Sequence, residues 1–176
     1  RSLYQKIVCA FRTYFMENGM PKAELPYTEV CVNGHAPIDT TRRGVTQTAL
    51  TLILHFGLCT ESERPALAAR LAEMIRAAGT HLETGFVGTP YLLHALSDNG
   101  YAALAYDLLL QTSAPSWLYS VRHGATTMWE HWDSIREDGS FWSTDMNSFN
   151  HYAYGAVYDW IFGAAAGVKP SAPGYR

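Results

Sequence analysis

The ten residues from Gly124 to Asp133 read GATTMWEHWD and set one carboxylate, Glu130, between two indoles, Trp129 and Trp132. Cleaving a glycosidic bond takes two carboxyl groups about that bond. One protonates the leaving oxygen, and in an inverting enzyme the other takes a proton from the attacking water. Indole faces are apolar platforms that suit the C–H side of a sugar ring, and apolar surroundings tune carboxyl groups for acid–base work. The hydroxyls of Thr126 and Thr127 can bond either a carboxylate or a sugar. The same composition also describes a surface Glu flanked by packing aromatics, and on composition alone the two readings stand level.

Other chemistries find less support. The seven His residues include no HExxH and no close pair, so no metal site is expected, and no cofactor. Cys9, Cys31 and Cys59 are an odd set without CxxC spacing and read as buried free thiols. Asp133, Glu137, Asp138 and Asp145 read as solvated loop acids. The formal net charge of −3 and the lack of any basic run beyond Arg42-Arg43 argue against nucleic acid as a partner. No apolar stretch has the length of a membrane span, since Thr51 and His55 interrupt Ala49–Leu58. Apolar residues are 48% and charged residues 16%, a balance that suits a large buried interior or an aromatic cleft.

The elements that must position Glu130 are helical nearly throughout. Arg1–Phe15 carries Leu3, Ile7, Ala10, Phe11 and Tyr14 at helical spacing. Val45–Leu58 is apolar almost all round, which predicts a buried helix. Thr60 and Glu63 form a capping box for a second kind of helix, with Pro65 in its first turn. Here Leu67, Leu71, Met74, Ile75 and Ala78 make one stripe, Arg64, Arg70, Glu73 and Arg76 face water, and Gly79 closes the C-terminus. Thr89 as N-cap and Pro90 as first residue open a short apolar helix, Tyr91–Leu96, and another follows over Tyr101–Gln111. Asn147 or Ser148 caps a last long helix running to about Gly163. Buried and surface helices in alternation predict a two-layer helical toroid. No alternating strand run stands out, and Glu24–Val32 is at most a short extended piece. Between Gln111 and Met146 lies a stretch without helical period that holds four of the five Trp residues, and long loops on a rigid scaffold commonly carry function.

Four strings, in order, resemble those of the bacterial α-L-rhamnosidases. They are TGFVGTP (Thr84–Pro90), PSWLY (Pro115–Tyr119), GATTMWEHW (Gly124–Trp132) and MNSFNHYAYG (Met146–Gly155). The likeness runs from about Thr46 to Trp160. It implies an all-α chain, part of an (α/α)6 barrel and roughly its carboxyl-terminal half. It implies an inverting glycoside hydrolase that removes terminal α-L-rhamnosyl groups, with Glu130 as the general base. It also implies that His151 bonds rhamnose hydroxyls. Helical spacing sets His151, Tyr154 and Tyr158 on one face near the start of the last helix. Trp132 and Trp129 are the candidate stacking residues, Trp129 the weaker of the two. Asn150 either bonds substrate or caps the helix. Phe86 is expected to line the cleft, with Thr126 and Thr127 as buttresses. Members of the family often carry Arg where this chain has His131, and His titrates near neutrality.

The general acid of the family lies in a string resembling Asp-Glu-Arg-x-Gly-Trp, which does not occur in these 176 residues. The helix count is also near half of a twelve-helix barrel. The expectation is therefore one partial barrel domain over residues 1–176, lacking its amino-terminal helices. It would bear the base of a larger enzyme whose remaining domains are its partners, in the cytoplasm or the periplasm. Two other readings remain: a different inverting glycosidase on the same barrel, and a non-catalytic sugar-binding helical protein.

Overall fold

In the computed structural model the described residues are 2–23 and 44–172; Cys31, Arg42-Arg43 and the Glu24–Val32 segment lie outside them. The centre of the packing is α4 (Thr89–Ser97), whose Leu92, Leu93, Ala95 and Leu96 are all buried. On one side α4 meets α2 (Gln47–His55), and on the other it meets α7 (Val157–Trp160). These three are the helices whose sequences are apolar almost all round. Two of them are followed by a helix packed on one face only: α3 (Arg64–Ala77) lies against α2, and α5 (Ala102–Leu109) against α4. An inner row of α2, α4 and α7 with α3 and α5 behind it is the local form of the expected two-layer helical barrel, so the all-α expectation holds.

Local sequence accounts for most helix ends. The Thr46 hydroxyl accepts the Ala49 N–H at 3.1 Å and caps α2. Before α3, the Glu63 carboxylate accepts the Thr60 N–H at 2.7 Å, but the Thr60 hydroxyl turns to Ser62, so only half of the capping box forms. Leu67, Ala68, Leu71, Ala72 and Ile75 of α3 are buried. At its end Gly79 takes φ +71° and the Thr80 N–H reaches the Ile75 carbonyl at 2.9 Å. Thr89 does not cap α4 as expected. Its hydroxyl is turned back to the Thr84 hydroxyl at 2.8 Å and the Thr84 carbonyl, tying the preceding loop shut.

The amino-terminal helix α1 (Ser2–Phe15) forms as the spacing predicts, yet none of its residues is buried. Leu3, Ile7 and Tyr14 are exposed, and so is Cys9, against the expectation of buried thiols. The helix is tethered by two polar attachments. The Tyr4 hydroxyl donates to the Phe56 and Gly57 carbonyls, and Arg12 grips the Glu63 carboxylate at 2.6 and 2.8 Å. A hairpin follows, β1 (Met16–Glu17) and β2 (Met20–Pro21), turning through Asn18 and Gly19 at positive φ. Strands of two residues are too short to show a period.

Two further elements differ from expectation. A short helix, α6 (Trp117–Arg122), interrupts the long aromatic stretch, capped by the Ser116 hydroxyl on the Tyr119 N–H. The last helical segment begins at Ala153 as a 3-10 turn, continues as α7 and ends in a π turn, Ile161–Ala165. It starts five residues after Ser148, because residues 148–151 are bonded to the Glu130 loop instead of to a helix.

Candidate active site

The Glu130 loop leaves α6 through Gly124 at φ +80°, with the Ala125 N–H bonded back to the Ser120 carbonyl. The chain then runs as a bent loop beside residues 148–151. The Glu130 N–H donates to the Ser148 carbonyl at 2.9 Å, and the His151 N–H donates to the Met128 carbonyl at 2.8 Å. The Thr127 hydroxyl adds a third bond, to the Phe149 carbonyl. The Glu130 carboxylate is part of this clasp: its Oε2 accepts the Ser148 N–H at 2.8 Å. One carboxylate oxygen is thereby fixed by backbone, while Oε1 has no protein partner among the described residues.

Between the two arms, residues 131–147 fold on themselves. Ile135 and Phe141 bridge, and the Asn147 amide donates to the Ser134 carbonyl at 2.8 Å. His131 lies flat on Trp142, ring centroids 3.6 Å apart, and its Nε2 donates to the Met146 carbonyl at 3.2 Å. A carbonyl only accepts, so the proton of a neutral His131 ring sits on Nε2. Glu137 and Asp138 are exposed, Glu137 3.6 Å from His123 and Asp138 bonded to Ser140.

An aromatic cluster links the sugar-binding candidates Trp132 and His151. Trp132 stacks on Tyr154 with centroids 3.7 Å apart and planes 18° apart, and meets the Trp117 ring edge-on at 5.2 Å. Tyr154 also touches Phe86 at 5.1 Å, and Phe86 stacks on His151 at 4.6 Å. The Trp117 indole N–H donates to the Tyr154 carbonyl at 2.9 Å. Residues separated by up to 68 positions are thus brought together as a continuous path, Trp132–Tyr154–Phe86–His151. Phe86 is set there by its loop. Gly88 packs so closely that an added Cβ would lie 2.9 Å from the Thr48 hydroxyl.

His151 does not sit on the last helix, as its spacing suggested, but two residues before it, in the loop that pairs with Met128. Its Nδ1 faces the Ala153 N–H at 3.4 Å, which leaves the proton of the neutral ring on Nε2, the atom free to donate outward. Trp132 has one face covered by Tyr154 and is half-buried. Trp129 is 5% exposed and packs its ring edge-on to Phe149 beneath the loop. Asn150 is exposed, and its backbone N–H bonds the Ser148 hydroxyl. Tyr154 is the residue that sequence reasoning placed near His151 without a role. Its ring is 6% exposed, and its phenol is pushed above the usual tyrosine range, first by burial and then by the charge of Glu130. Among the described residues, no group of three or more His, Cys, Asp or Glu is arranged to hold a metal ion.

Comparison with known proteins agrees with this architecture. The family model for the bacterial α-L-rhamnosidase six-hairpin glycosidase domain matches residues 1–165. An α-L-rhamnosidase from Streptomyces avermitilis is 44% identical over 168 residues, covering 92% of this chain and 16% of that protein. One from Formosa agariphila is 38% identical over 175 residues, 99% of this chain and 17% of that protein. The crystal structure of the S. avermitilis enzyme complexed with L-rhamnose superposes with a TM-score of 0.83 at 41% identity, covering 99% of this chain and 15% of that one. That of the native Aspergillus terreus enzyme gives 0.82 at 34% identity, covering 99% and 18%. The chain spans about a sixth of the length of the curated relatives it matches. On these matches, and on the helical pairs described above, the chain belongs to the bacterial α-L-rhamnosidase family, within its six-hairpin glycosidase domain.

Proposed function

We propose that this chain is the base-bearing part of an inverting α-L-rhamnosidase, a larger enzyme that hydrolyses terminal α-L-rhamnosyl linkages in rhamnose-containing glycosides. The observation that carries the reading is the Glu130 carboxylate. The Ser148 N–H fixes one oxygen and leaves the other without a partner among the described residues, in the same clasp that holds His151 by its N–H to the Met128 carbonyl. A fixed carboxylate with one open oxygen suits proton abstraction from a single positioned water. In this mechanism water adds to the anomeric carbon as Glu130 takes its proton, and the glycosidic bond opens on the opposite face. The leaving oxygen is protonated by a carboxylic acid elsewhere in the enzyme.

His151 donates from Nε2 to a sugar hydroxyl, held flat by Phe86. Trp132 offers its uncovered face to the ring, Asn150 stands exposed in the loop beside His151, and Trp129 supports the Glu130 loop from beneath. The single unit over 1–176 is one part of the barrel. The exposed apolar side chains of α1, Leu3, Ile7 and Tyr14, are where upstream helices would pack. The test is hydrolysis of p-nitrophenyl α-L-rhamnoside by the intact enzyme and its E130Q variant, beside this chain alone. The expected result is a loss in E130Q of about 10²–10⁴-fold with unchanged folding, the scale of a positioned general base. Full activity in E130Q would overturn the assignment of the base.

A further inference from the structure

Glu130 and Ser148 hold each other by two bonds. The Glu130 N–H donates to the Ser148 carbonyl at 2.9 Å, and the Ser148 N–H donates to Glu130 Oε2 at 2.8 Å. The segment between them runs out to the surface, where residues 136–142 are all exposed. Exposed loops open at little cost, and such motion would reach both members of the pair unless the loop were closed at its base. Ser134 and Asn147 make that closure. The Ser134 hydroxyl accepts the His131 N–H at 3.1 Å and donates to the His131 carbonyl at 3.1 Å, which fixes the residue after Glu130. The Ser134 carbonyl accepts a side-chain N–H of Asn147 at 2.8 Å, which fixes the residue before Ser148. The two flanks of the gripping pair are thus joined through one fully buried serine. Asn147 is otherwise an unfavourable choice for its place. Its Oδ1 is buried and has no partner among the described residues. A buried acceptor left unmatched is destabilising, and an apolar side chain of the same shape would avoid that. What the apolar side chain would lack is the donor to Ser134.

We propose that Asn147 is a positioning residue for the base, acting through Ser134 and Ser148 to set where the Glu130 carboxylate stands. The proposal rests on Glu130 being the general base. The N–H that fixes Oε2 belongs to the peptide joining Asn147 to Ser148, so tying the Asn147 side chain to Ser134 restrains the tilt of that peptide. From the other flank, the Ser134 hydroxyl restrains the peptide that joins Glu130 to His131. With its backbone held on both sides and Oε2 fixed, the carboxylate presents Oε1 in one direction. Displacing a catalytic group by about 1 Å costs on the order of 10²-fold in rate, so a bond that never touches the sugar acts on the chemical step.

The test is Asn147→Ala in the intact enzyme, alone and combined with E130Q. Alone, it should lower kcat on p-nitrophenyl α-L-rhamnoside about 10–100-fold, with KM within about two-fold of wild type. In the E130Q background the same substitution should change kcat less than about two-fold, because a base that is absent cannot be misplaced. An equal fall in both backgrounds overturns the proposal, since Asn147 would then act on the fold or the sugar pocket and not through Glu130. A rise in KM with kcat unchanged overturns it too. A wild-type kcat in N147A, where E130Q is inactive, overturns the role of Asn147 and leaves the base intact. If E130Q is itself fully active, the reading of the base fails and this proposal falls with it. Should N147A fold poorly, Ser134→Ala serves as the second variant, because it frees the other flank and keeps the carbonyl. A wild-type kcat there, or a fall that persists undiminished beside E130Q, would overturn the proposal.

Discussion

The tether between α1 and α3 can be tested quantitatively. The Arg12 guanidinium grips the Glu63 carboxylate at 2.6 and 2.8 Å, and the Thr60 N–H adds a third bond at 2.7 Å. Together, the Arg12 contact first, they bring the Glu63 pKa from 4.5 down to about 2. A shift of that size has a ceiling of about 3 kcal/mol at 1.36 kcal/mol per pH unit. The two side chains are 31% and 19% exposed, so solvent screens the pair, and a value of about 1–2 kcal/mol is the better expectation. Because the folded pKa is depressed, the contribution is fully present above the unfolded value near 4.5. It is lost as pH falls through the window from about 4.5 to about 2. With no buried residue in α1, the loss of this tether should appear as local opening of the helix. The perturbation is E63Q, and the assay is hydrogen–deuterium exchange of peptides from Ser2–Phe15 in this chain. At pH 7 their exchange should speed up about 5–30-fold, at 1.4 kcal/mol per factor of ten. At pH 2 wild type and E63Q should converge. Exchange within two-fold of wild type at pH 7 would refute the reasoning, since α1 would then be held by something other than this pair.

Two substitutions bear on the site itself. H151F keeps the ring stack on Phe86 and removes the Nε2–H donor. It should raise KM for the aryl rhamnoside by about 3–10-fold with kcat nearly unchanged, the worth of one neutral hydrogen bond, read by steady-state kinetics. G88A puts a methyl 2.9 Å from the Thr48 hydroxyl and 3.0 Å from the Thr84 methyl, between α2 and the Phe86 loop. It should destabilise by about 1–3 kcal/mol, visible as a lowered denaturant midpoint, with activity reduced as Phe86 shifts.

The alternation of buried and one-faced helices was readable because burial leaves a periodic trace within each segment. Leu67, Leu71 and Ile75 of α3, and Leu92, Leu93 and Leu96 of α4, fall where period and burial agree. What escaped was set by partners distant in sequence. The backbone of residues 148–151 had the composition of a capped helix start. Its N–H groups go instead to Glu130 Oε2 and the Met128 carbonyl, some twenty residues earlier. Thr89 looked like a cap because local chemistry permits it, yet Thr84 competes for the same hydroxyl. Glu130 stood out by its neighbours and by the family string, whereas the contact of Tyr154 with Trp132 leaves no mark in either stretch alone.

One disagreement between pattern and structure carries information of its own. The sequences of α2 and the last helix read as buried all round, yet Phe56, Tyr158 and Phe162 are 47%, 59% and 58% exposed. Apolar side chains on helices of the inner row have a stated cost in water, and α3, packed on one side only, avoids it by turning Arg70, Glu73 and Arg76 outward. The two treatments of exposed surface within one chain separate a face that meets solvent from a face shaped to be covered. The second kind is found at the ends of α2 and the last helix and along α1, and also at Tyr106 of α5 and Leu110 just after it, where further helices of the same barrel would pack.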